Sequence, residues 1–298
     1  MARKRDIAIG VIIAFCFLLF GSIFVVTMFD MYSGEGASMF AFGDRIAIID
    51  VYGMLSSSAD IVRQIQEYGD DNSVVAILLH VDSPGGGVAV SQEIYDEISR
   101  VRIEEGKLVV TSASSVIASG AYYIACASDM IITNPGTLVG SIGVILQYPV
   151  VDELIDKIGI DFETIKSGDV KDVGSPYREA TDEDREMLQA AIDDSYEQFI
   201  EVIMEGRDLT REEVIEVADG AVFTGRQGMD LGLVDRIASF EEAIRITAEL
   251  AGIDGKPRTV KERPRKDVTL FDLFKTDLSG LLDGRLPFPG PQLQYLYR

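Results

Sequence analysis

Ser119 is the residue of this sequence best placed to act as a nucleophile. The apolar, β-branched run Lys107–Thr111 before it is typical of a buried strand, and Tyr123–Ala127 after it is typical of the start of a buried helix. A hydroxyl at such a junction projects from a tight turn, beside the free N–H groups of a first helical turn. Serine at a junction of this kind is also a common helix N-cap, so a catalytic and a capping role are both open.

A serine nucleophile needs a base, and the sequence offers one histidine and two lysines for that role. His80 lies inside the apolar run Val74–Val81, a setting typical of a packed strand residue. A lysine acts as a base only where burial or a neighbouring cation lowers its pKa. Lys166 and Lys171 are the lysine candidates, because most other lysines have charged, solvated surroundings. The residue pattern alone does not choose between histidine and lysine.

Three glycine-rich loops follow apolar strands, at Gly85–Gly87, Ser119–Gly120 and Gly140–Gly143. In an open α/β fold the carboxyl ends of the strands meet at one edge, where ligands bind. None of the loops has the glycine spacing of a nucleotide-binding motif. We expect the N–H groups of Gly86 and Gly120 to form an oxyanion hole, since glycine allows close approach of a backbone donor. The alternative is that these glycines only make turns.

The elements that must position these residues alternate between strand and helix, which predicts an α/β domain with right-handed crossovers. Val74–Val81 is nearly continuously apolar, as in strands buried on both faces of a parallel sheet. Capping signals at Thr181, Thr210 and Ser239 predict three further helices, the first of them long.

The N-terminal segment predicts a membrane anchor. Ile7–Phe29 contains no charged residue and is long enough to cross a bilayer as one helix. It follows a basic tip and lacks a clear cleavage site, so we expect an uncleaved signal anchor with everything after Asp30 outside the membrane. We divide the chain into four parts: basic tip and transmembrane anchor (1–30), linker (31–44), globular α/β domain (45–254), and a C-terminal tail of unknown role (255–298).

Charge and composition limit the classes of partner. The formal net charge is −22 at pH 7, and phosphate binding needs a basic face, so nucleic acid is not an expected partner. The two cysteines, Cys16 and Cys126, cannot form a disulfide framework. We expect neither a metal nor another cofactor.

Several motifs occur in an order that resembles the signal peptide peptidase (SppA) family of membrane-anchored serine proteases. The resemblance runs from about Arg45 to Leu250. The motifs are Asp82-Ser83-Pro84-Gly85-Gly86, Ala118-Ser119-Gly120-Ala121-Tyr122-Tyr123, Gly140-Ser141-Ile142-Gly143, Ile165-Lys166-Ser167-Gly168 followed by Lys171-Asp172, Ser175-Pro176, and Gly225-Arg226 with Gly232-Leu233-Val234-Asp235.

The resemblance implies a Clp protease/crotonase-like fold with a mostly parallel sheet and flanking helices, and a Ser–Lys dyad. It assigns Ser119 as nucleophile and Lys171 as general base, because the family's lysine follows a glycine by three residues, here Gly168. Gly86 and Gly120 then match the oxyanion hole, and Ser141 matches a serine that orients the lysine. The sequence departs from the family at Ala121, where a second glycine is common.

The resemblance also implies the biological setting. Substrates would be remnant signal peptides and other short apolar peptides, cleaved outside the cytoplasmic membrane by a ring-like homo-oligomer anchored through residues 7–29. Two alternatives remain open: a stomatin-operon-type membrane protease acting on a partner protein, and a crotonase-like acyl-CoA enzyme without a Ser–Lys pair. A non-catalytic membrane scaffold is a third class. Labelling by an acylating serine probe would separate the two proteases from the rest.

Overall fold

The computed structural model describes residues 44–262, the backbone of residues 293–296, and Gly21. Contacts divide the chain into two units, Met1–Gly43 and Asp44–Arg298, and the account below concerns the second unit. The expected anchor at residues 7–29, apart from Gly21, lies outside the described residues. Among the described residues, no helix is both long and apolar enough to cross a bilayer.

An eight-stranded sheet forms the centre of the domain, with strand order β10-β1-β2-β4-β5-β9 and β6 and β8 joined through β4. Neighbours along this path are parallel, and only the β6–β8 pair is antiparallel. The strands are β1 (Arg45–Tyr52), β2 (Val74–Ser83), β3 (Gly85–Gly87), β4 (Leu108–Ala118), β5 (Met130–Thr133), β6 (Leu138–Gly140), β7 (Ile145–Leu146), β8 (Val222–Thr224), β9 (Arg236–Ile237), β10 (Arg258–Lys261) and β11 (Leu293–Leu296).

Helices cover both faces of this sheet. The helices are α1 (Ala59–Asp70), α2 (Val88–Glu104), α3 (Gly120–Ala125), α4 (Asp152–Ile158), α5 (Asp182–Arg207), α6 (Arg211–Val217), α7 (Gly225–Asp230) and α8 (Phe240–Leu250). Alternate residues of β2 point to opposite faces, so Ile77 and Leu79 join the core with α1, α2, α3, α5 and α6. Ala76 and Leu78 instead pack with α8. The mixed α/β sheet with flanking helices fits a Clp protease/crotonase-like fold.

A second, three-stranded sheet contains β3, β11 and β7 in that order. Both of its pairings are antiparallel, and β11 is the central strand. The glycine strand β3 is also bridged on its other side by Leu55. This small sheet lies at the carboxyl end of β2, because β3 begins two residues after β2 ends.

Local sequence signals account for most helix starts. Thr210 forms the expected capping box with Glu213, and Thr181, at the expected start of the long helix, forms one with Asp184. At α8, Ser239 accepts a hydrogen bond from the Glu242 N–H. The largest difference from the sequence prediction is β4, which was expected only to Thr111 and continues to Ala118. Its second half pairs with β2 and β6, and this long strand places Ser119 beyond the carboxyl ends of the parallel strands.

Candidate active site

Ser119 occupies a sharp turn between β4 and α3. Its backbone angles are φ 55° and ψ −122°, a region that non-glycine residues rarely adopt. The turn is held on both sides, since the Ser119 N–H donates to the Gly140 carbonyl at 2.7 Å and the Ser119 carbonyl accepts from the Tyr123 N–H at 2.9 Å. The side chain does not cap α3, so the capping role considered from the sequence is not observed.

The Ser119 hydroxyl is fully buried and has no hydrogen-bond partner within the described part of the chain. A buried hydroxyl without a hydrogen-bond partner destabilises the fold by about 1–3 kcal/mol, so such hydroxyls are rare in folded proteins. Backbone strain together with an unpaired hydroxyl is a combination that functional sites retain. Of the described residues, Ser119 is therefore the one whose local structure is hardest to explain by packing alone.

The glycine strand β3 lies against α3, which begins at Gly120. Leu55 binds one edge of β3: its N–H donates to the Gly85 carbonyl at 2.8 Å, and its carbonyl accepts from the Gly87 N–H at 2.9 Å. Peptide groups alternate in direction along a strand, so the Gly86 N–H points to the opposite edge. A Cβ atom on Gly86 would lie 2.1 Å from the Leu55 oxygen, so this close approach requires glycine.

Asp82 and Ser83 attach the glycine strand to β4. The Asp82 carboxylate accepts a hydrogen bond from the Val116 N–H at 3.1 Å, and the Ser83 hydroxyl accepts one from the Gly85 N–H at 3.1 Å. Ser83 also pairs with Ile117 in the register of β2 and β4. The two residues thereby hold β3 beside the Ser119 turn. Sequence analysis singled out this motif for its glycines and missed the structural role of its polar side chains.

Ser141 lies directly after β6, whose last residue Gly140 holds Ser119. It is buried, has a φ of 49°, and its N–H donates to the Ala221 carbonyl at 2.7 Å. A groove of about 560 Å³ begins at Ser141 and continues between residues 142–147 and one side of α5. Its walls combine apolar side chains such as Ile142 and Ile145 with Tyr196. The groove has room for side chains of an extended peptide.

No hydrogen bond joins Lys171 to the Ser119 hydroxyl among the described residues. Lys171 is exposed in the turn after Gly168, and the Ser119 hydroxyl has no partner among the residues described. Lys166 is held elsewhere: its Nζ donates to the Asp169 carbonyl at 2.6 Å and to Asp172 Oδ1 at 2.7 Å. Of the expected site residues, Ser119, Gly86, Gly120 and Ser141 lie on connected elements, while Lys171 lies on a separate turn.

Arg178 organises the segment that contains the two lysines. Its guanidinium binds both oxygens of Asp172, at 2.8 and 3.0 Å, and also binds Asp184 at the start of α5. The Arg178 hydrogen bonds, followed by that of Lys166, hold the pKa of Asp172 well below its usual range. Arg178, with help from the Thr181 N–H, lowers the pKa of Asp184 to about 2. The network is not evident from the sequence, because Asp172 and Arg178, although only six positions apart, lie in turns where spacing does not predict which side chains meet.

His80 lies on the opposite face of the sheet, in contact with α8. Its Nε2 is 2.8 Å from the Ser114 hydroxyl, its Nδ1 is 2.6 Å from the Tyr52 hydroxyl, and its ring stacks on Phe240. Burial is the main cause that lowers the pKa of His80, which favours the neutral ring. The histidine is therefore a packed strand residue bonded to Ser114 and Tyr52, and it does not contact Ser119.

Within the part of the chain that the structure describes, no group of three or more His, Cys, Asp or Glu side chains could hold a metal ion. The chemistry that the site residues themselves supply is a buried hydroxyl, backbone N–H donors at glycines, and lysines on a neighbouring turn. This inventory suits acyl transfer, in which a hydroxyl attacks a carbonyl and N–H groups stabilise the oxyanion.

Comparison with known proteins gives consistent results. The family model described as "Peptidase family S49" matches residues 102–254. The Synechocystis sp. protein slr0021, described as a candidate protease, is 43% identical over 70% of this chain and 76% of its own length. A candidate signal peptide peptidase SppA of Enterococcus faecium is 33% identical over 74% of this chain and 60% of its own length. Protease 4 of Haemophilus influenzae is 32% identical over 70% of this chain but only 35% of its own length.

Proposed function

The chain belongs to peptidase family S49, in its SppA group, and is a serine-type peptidase; from this premise we propose that Ser119 is its nucleophile and Lys171 its general base. The observation that carries the proposal is the Ser119 turn, with its strained backbone and its buried, unpaired hydroxyl. In this mechanism Ser119 attacks a peptide carbonyl while the neutral Lys171 amine takes its proton and later gives it to the leaving nitrogen. Water then hydrolyses the acyl-enzyme.

Gly86 and Gly120 supply the oxyanion hole in this proposal. The edge of β3 that faces away from Leu55 presents the Gly86 N–H. The first backbone bond of α3 runs from Tyr123 to Ser119, so the Gly120 N–H has no partner within its own helix. The same edge of β3 pairs with β11, where Tyr295 is opposite Gly86, so a developing oxyanion would replace that pairing at the Gly86 N–H. Ser141, next to the carbonyl that holds Ser119, orients the lysine.

Assembly completes the dyad. Lys171 is exposed in the single chain, and the resemblance to SppA proteins implies a ring-like homo-oligomer. In such an assembly a lysine from the exposed turn meets the Ser119 site. The apolar side chains that are exposed around this turn support an interface there, among them Leu154, Ile158, Phe162 and Ile165. Burial of such side chains between subunits stabilises an assembly by roughly 25 cal/mol per Å².

Remnant signal peptides and other short apolar peptides are the proposed substrates, and the chain acts as a membrane-anchored endopeptidase. Residues 7–29 anchor it as a single span, residues 31–44 connect the anchor to the protease domain at 45–254, and that domain lies outside the cytoplasmic membrane. Substrates that partition into lipid are then released close to the enzyme. The groove beside Ser141 has apolar side chains such as Ile142, Ile145 and Ile192 among its walls, which supports the binding of apolar residues of a peptide.

A covalent probe tests the proposal directly. The full chain in detergent micelles is treated with a fluorophosphonate or a lipopeptide aldehyde, and the labelled residue is identified by mass spectrometry. We expect label on Ser119, none after Ser119→Ala substitution, and loss of peptide hydrolysis in parallel. Label on another serine, or hydrolysis that survives Ser119→Ala, would refute the assignment. The family alternative that acts on a partner protein predicts the same label but no hydrolysis of short apolar peptides.

A further inference from the structure

The long strand β4 contains an irregularity between its two halves. The first half ends at Ala113 and pairs with β2 on one edge and with β5 on the other. The second half begins at Val116 and pairs with β6 on the edge that β5 occupied before. Against β2, Ala113 pairs with Val81 and Ile117 pairs with Ser83, so β4 advances four residues while β2 advances two. The two extra residues make a bulge in β4.

The bulge consists of residues 114–116, which lie opposite the single residue Asp82 of β2. Side chains from both neighbouring elements hold its backbone. On the β2 edge, the Asp82 carboxylate accepts a hydrogen bond from the Val116 N–H at 3.1 Å. On the other edge, the Thr137 hydroxyl donates to the Ser114 carbonyl at 2.6 Å. These two bonds replace strand pairing where the extra residues interrupt it.

Thr137 also closes the loop that joins β5 to β6. Its hydroxyl accepts a hydrogen bond from the Asn134 N–H at 3.0 Å, and its own N–H donates to the Asn134 carbonyl at 3.2 Å. The residue is only 1% exposed, and its hydroxyl uses its one proton for the Ser114 carbonyl. The loop lies where β4 changes its partner from β5 to β6. Thr137 therefore ties this loop to the bulge.

The position of the nucleophile depends on the bulge. A bulge bends its strand and changes the direction of the residues that follow, and here the strand leads directly to Ser119. The Ser119 N–H donates to Gly140, the last residue of β6, which is the partner that β4 gains after the bulge. Asp82 also leads, within a few residues, into the glycine strand β3 that contains Gly86. One residue thus connects the nucleophile with the expected oxyanion donor.

We propose that Asp82 and Thr137 are positioning residues for the peptidase reaction: from the two edges of β4 they fix the bulge and thereby align the Ser119 hydroxyl with the Gly86 N–H. The inference rests on the proposed function, since it uses the same nucleophile and oxyanion donor. Neither side chain belongs to the dyad or to the oxyanion hole, so both act through the residues they hold. A misplacement of about 1 Å can lower a reaction rate about 100-fold, so their loss should lower kcat.

Two matched pairs of variants test the proposal in the full chain in detergent micelles. Asp82→Ala removes the acceptor for the Val116 N–H, whereas Asp82→Asn keeps an acceptor oxygen and removes only the charge. Thr137→Val removes the hydroxyl at nearly constant shape, whereas Thr137→Ser keeps it. Ser115→Ala is the control within the bulge, because Ser115 is exposed. If alanine at 82 prevents folding, Asp82→Glu takes its place, since its longer side chain displaces the acceptor.

Hydrolysis of a short apolar fluorogenic peptide is the first measurement. We expect kcat to fall about 100-fold in Asp82→Ala and Thr137→Val, with KM changed by less than about twofold. Asp82→Asn, Thr137→Ser and Ser115→Ala should stay within about threefold of the unchanged chain. Melting curves identify the folded variants, and a merely structural role would lower the melting temperature without a selective loss of kcat. Equal kcat within either pair of folded variants would overturn the role of the residue concerned.

Amide hydrogen exchange separates this result from a failure of the proposed function. If no version of the chain hydrolyses any peptide, exchange at the Ser119 amide still reports how firmly the bulge holds the turn, because this amide donates to Gly140. Faster exchange at Ser119 in Asp82→Ala and Thr137→Val than in their paired variants would support the positioning role and leave only the peptidase assignment refuted. Equal exchange at Ser119 in all folded versions would overturn the positioning role.

Discussion

Lys166 donates a hydrogen bond to Asp172 at 2.7 Å, and this contact distinguishes it from Lys171, five residues further along. Asp172 is in turn held by two hydrogen bonds from Arg178. These contacts hold the Lys166 amine within its own turn. Lys171 is exposed on the same turn. The geometry thereby favours Lys171, the residue that the family resemblance assigns.

Substitution of the two lysines tests this difference. Lys171→Met keeps an apolar stem but removes the amine, and we expect kcat/KM for peptide hydrolysis to fall by about 10⁴-fold or more. Lys166→Met should retain most of the activity, because Asp172 keeps its Arg178 partner. The double variant Ser119→Ala/Lys171→Met should be little worse than either single variant, since the two groups act as a unit.

Mixed assemblies then show how the dyad forms. If neighbouring subunits share a site, co-assembly of Ser119→Ala with Lys171→Met chains should restore part of the activity that each lacks alone. No recovery from verified mixed oligomers would place both residues in one chain. A fully active Lys171→Met chain would exclude the Ser–Lys assignment altogether.

Gly86 and Gly87 form a matched pair for testing the oxyanion strand. In Gly86→Ala the new Cβ would meet the Leu55 oxygen at 2.1 Å, so β3 must shift. We expect a loss of stability of about 1–3 kcal/mol and a large loss of kcat. In Gly87→Ala the nearest atom is the Val90 Cγ2 at 3.3 Å, which needs only a small adjustment. Melting curves and kcat for both variants provide the comparison, and equal activities would argue against an oxyanion role for Gly86.

His80 should make folding stability depend on pH near neutrality. Burial lowers its pKa from the ordinary 6.5, with opposing contributions from Asp50 and Asp82 and a supporting one from Lys261. The unfolded chain therefore binds the proton more readily, so stability is full above pH 6.5 and falls as the pH drops below it. As the sequence has one histidine, His80→Gln should flatten the dependence of the melting temperature between pH 7.5 and about 5.5.

Peptidase activity provides the control for this variant. His80→Gln should retain most of the turnover at pH 7.5, because His80 binds Ser114 and Tyr52 on the α8 face. Loss of activity in a folded His80→Gln chain would revive a histidine-based mechanism. An unchanged melting profile would show that His80 titrates normally in the folded protein.

The Arg178 network should protect the domain against acid. The folded pKa of Asp184 is lowered to about 2, so its contribution is complete above the ordinary carboxyl pKa of 3.8 and is lost as the pH falls towards 2. Arg178→Met removes the main cause, so the midpoint of acid unfolding should move to higher pH. Arg185→Met is the control, since Arg185 makes only an exposed contact with Asp182. Circular dichroism during acid titration measures both, and equal midpoints would show that the network does not contribute to acid stability.

The sequence by itself determined most of the elements and the strand-to-helix junction at Ser119, the proposed nucleophile. Apolar runs and capping residues are local signals, and they predicted the α/β class, the buried strand at Val74–Val81, the helix start at Thr181 and the capping box at Thr210 correctly. The junction at Ser119 was also a local signal, because a strand followed by a helix needs a turn between them. The family resemblance rested on short motifs of the same local kind.

Only the tertiary structure decided which distant residues meet. The pairing of His80 with Ser114, the binding of Arg178 to Asp172 and Asp184, and the insertion of β11 between β3 and β7 all depend on how elements pack. The physical reason is that a strand edge or a charged side chain accepts many partners of suitable chemistry. Local sequence propensity does not distinguish between these possible partners. The packing of the sheet and helices decides which partner is within reach.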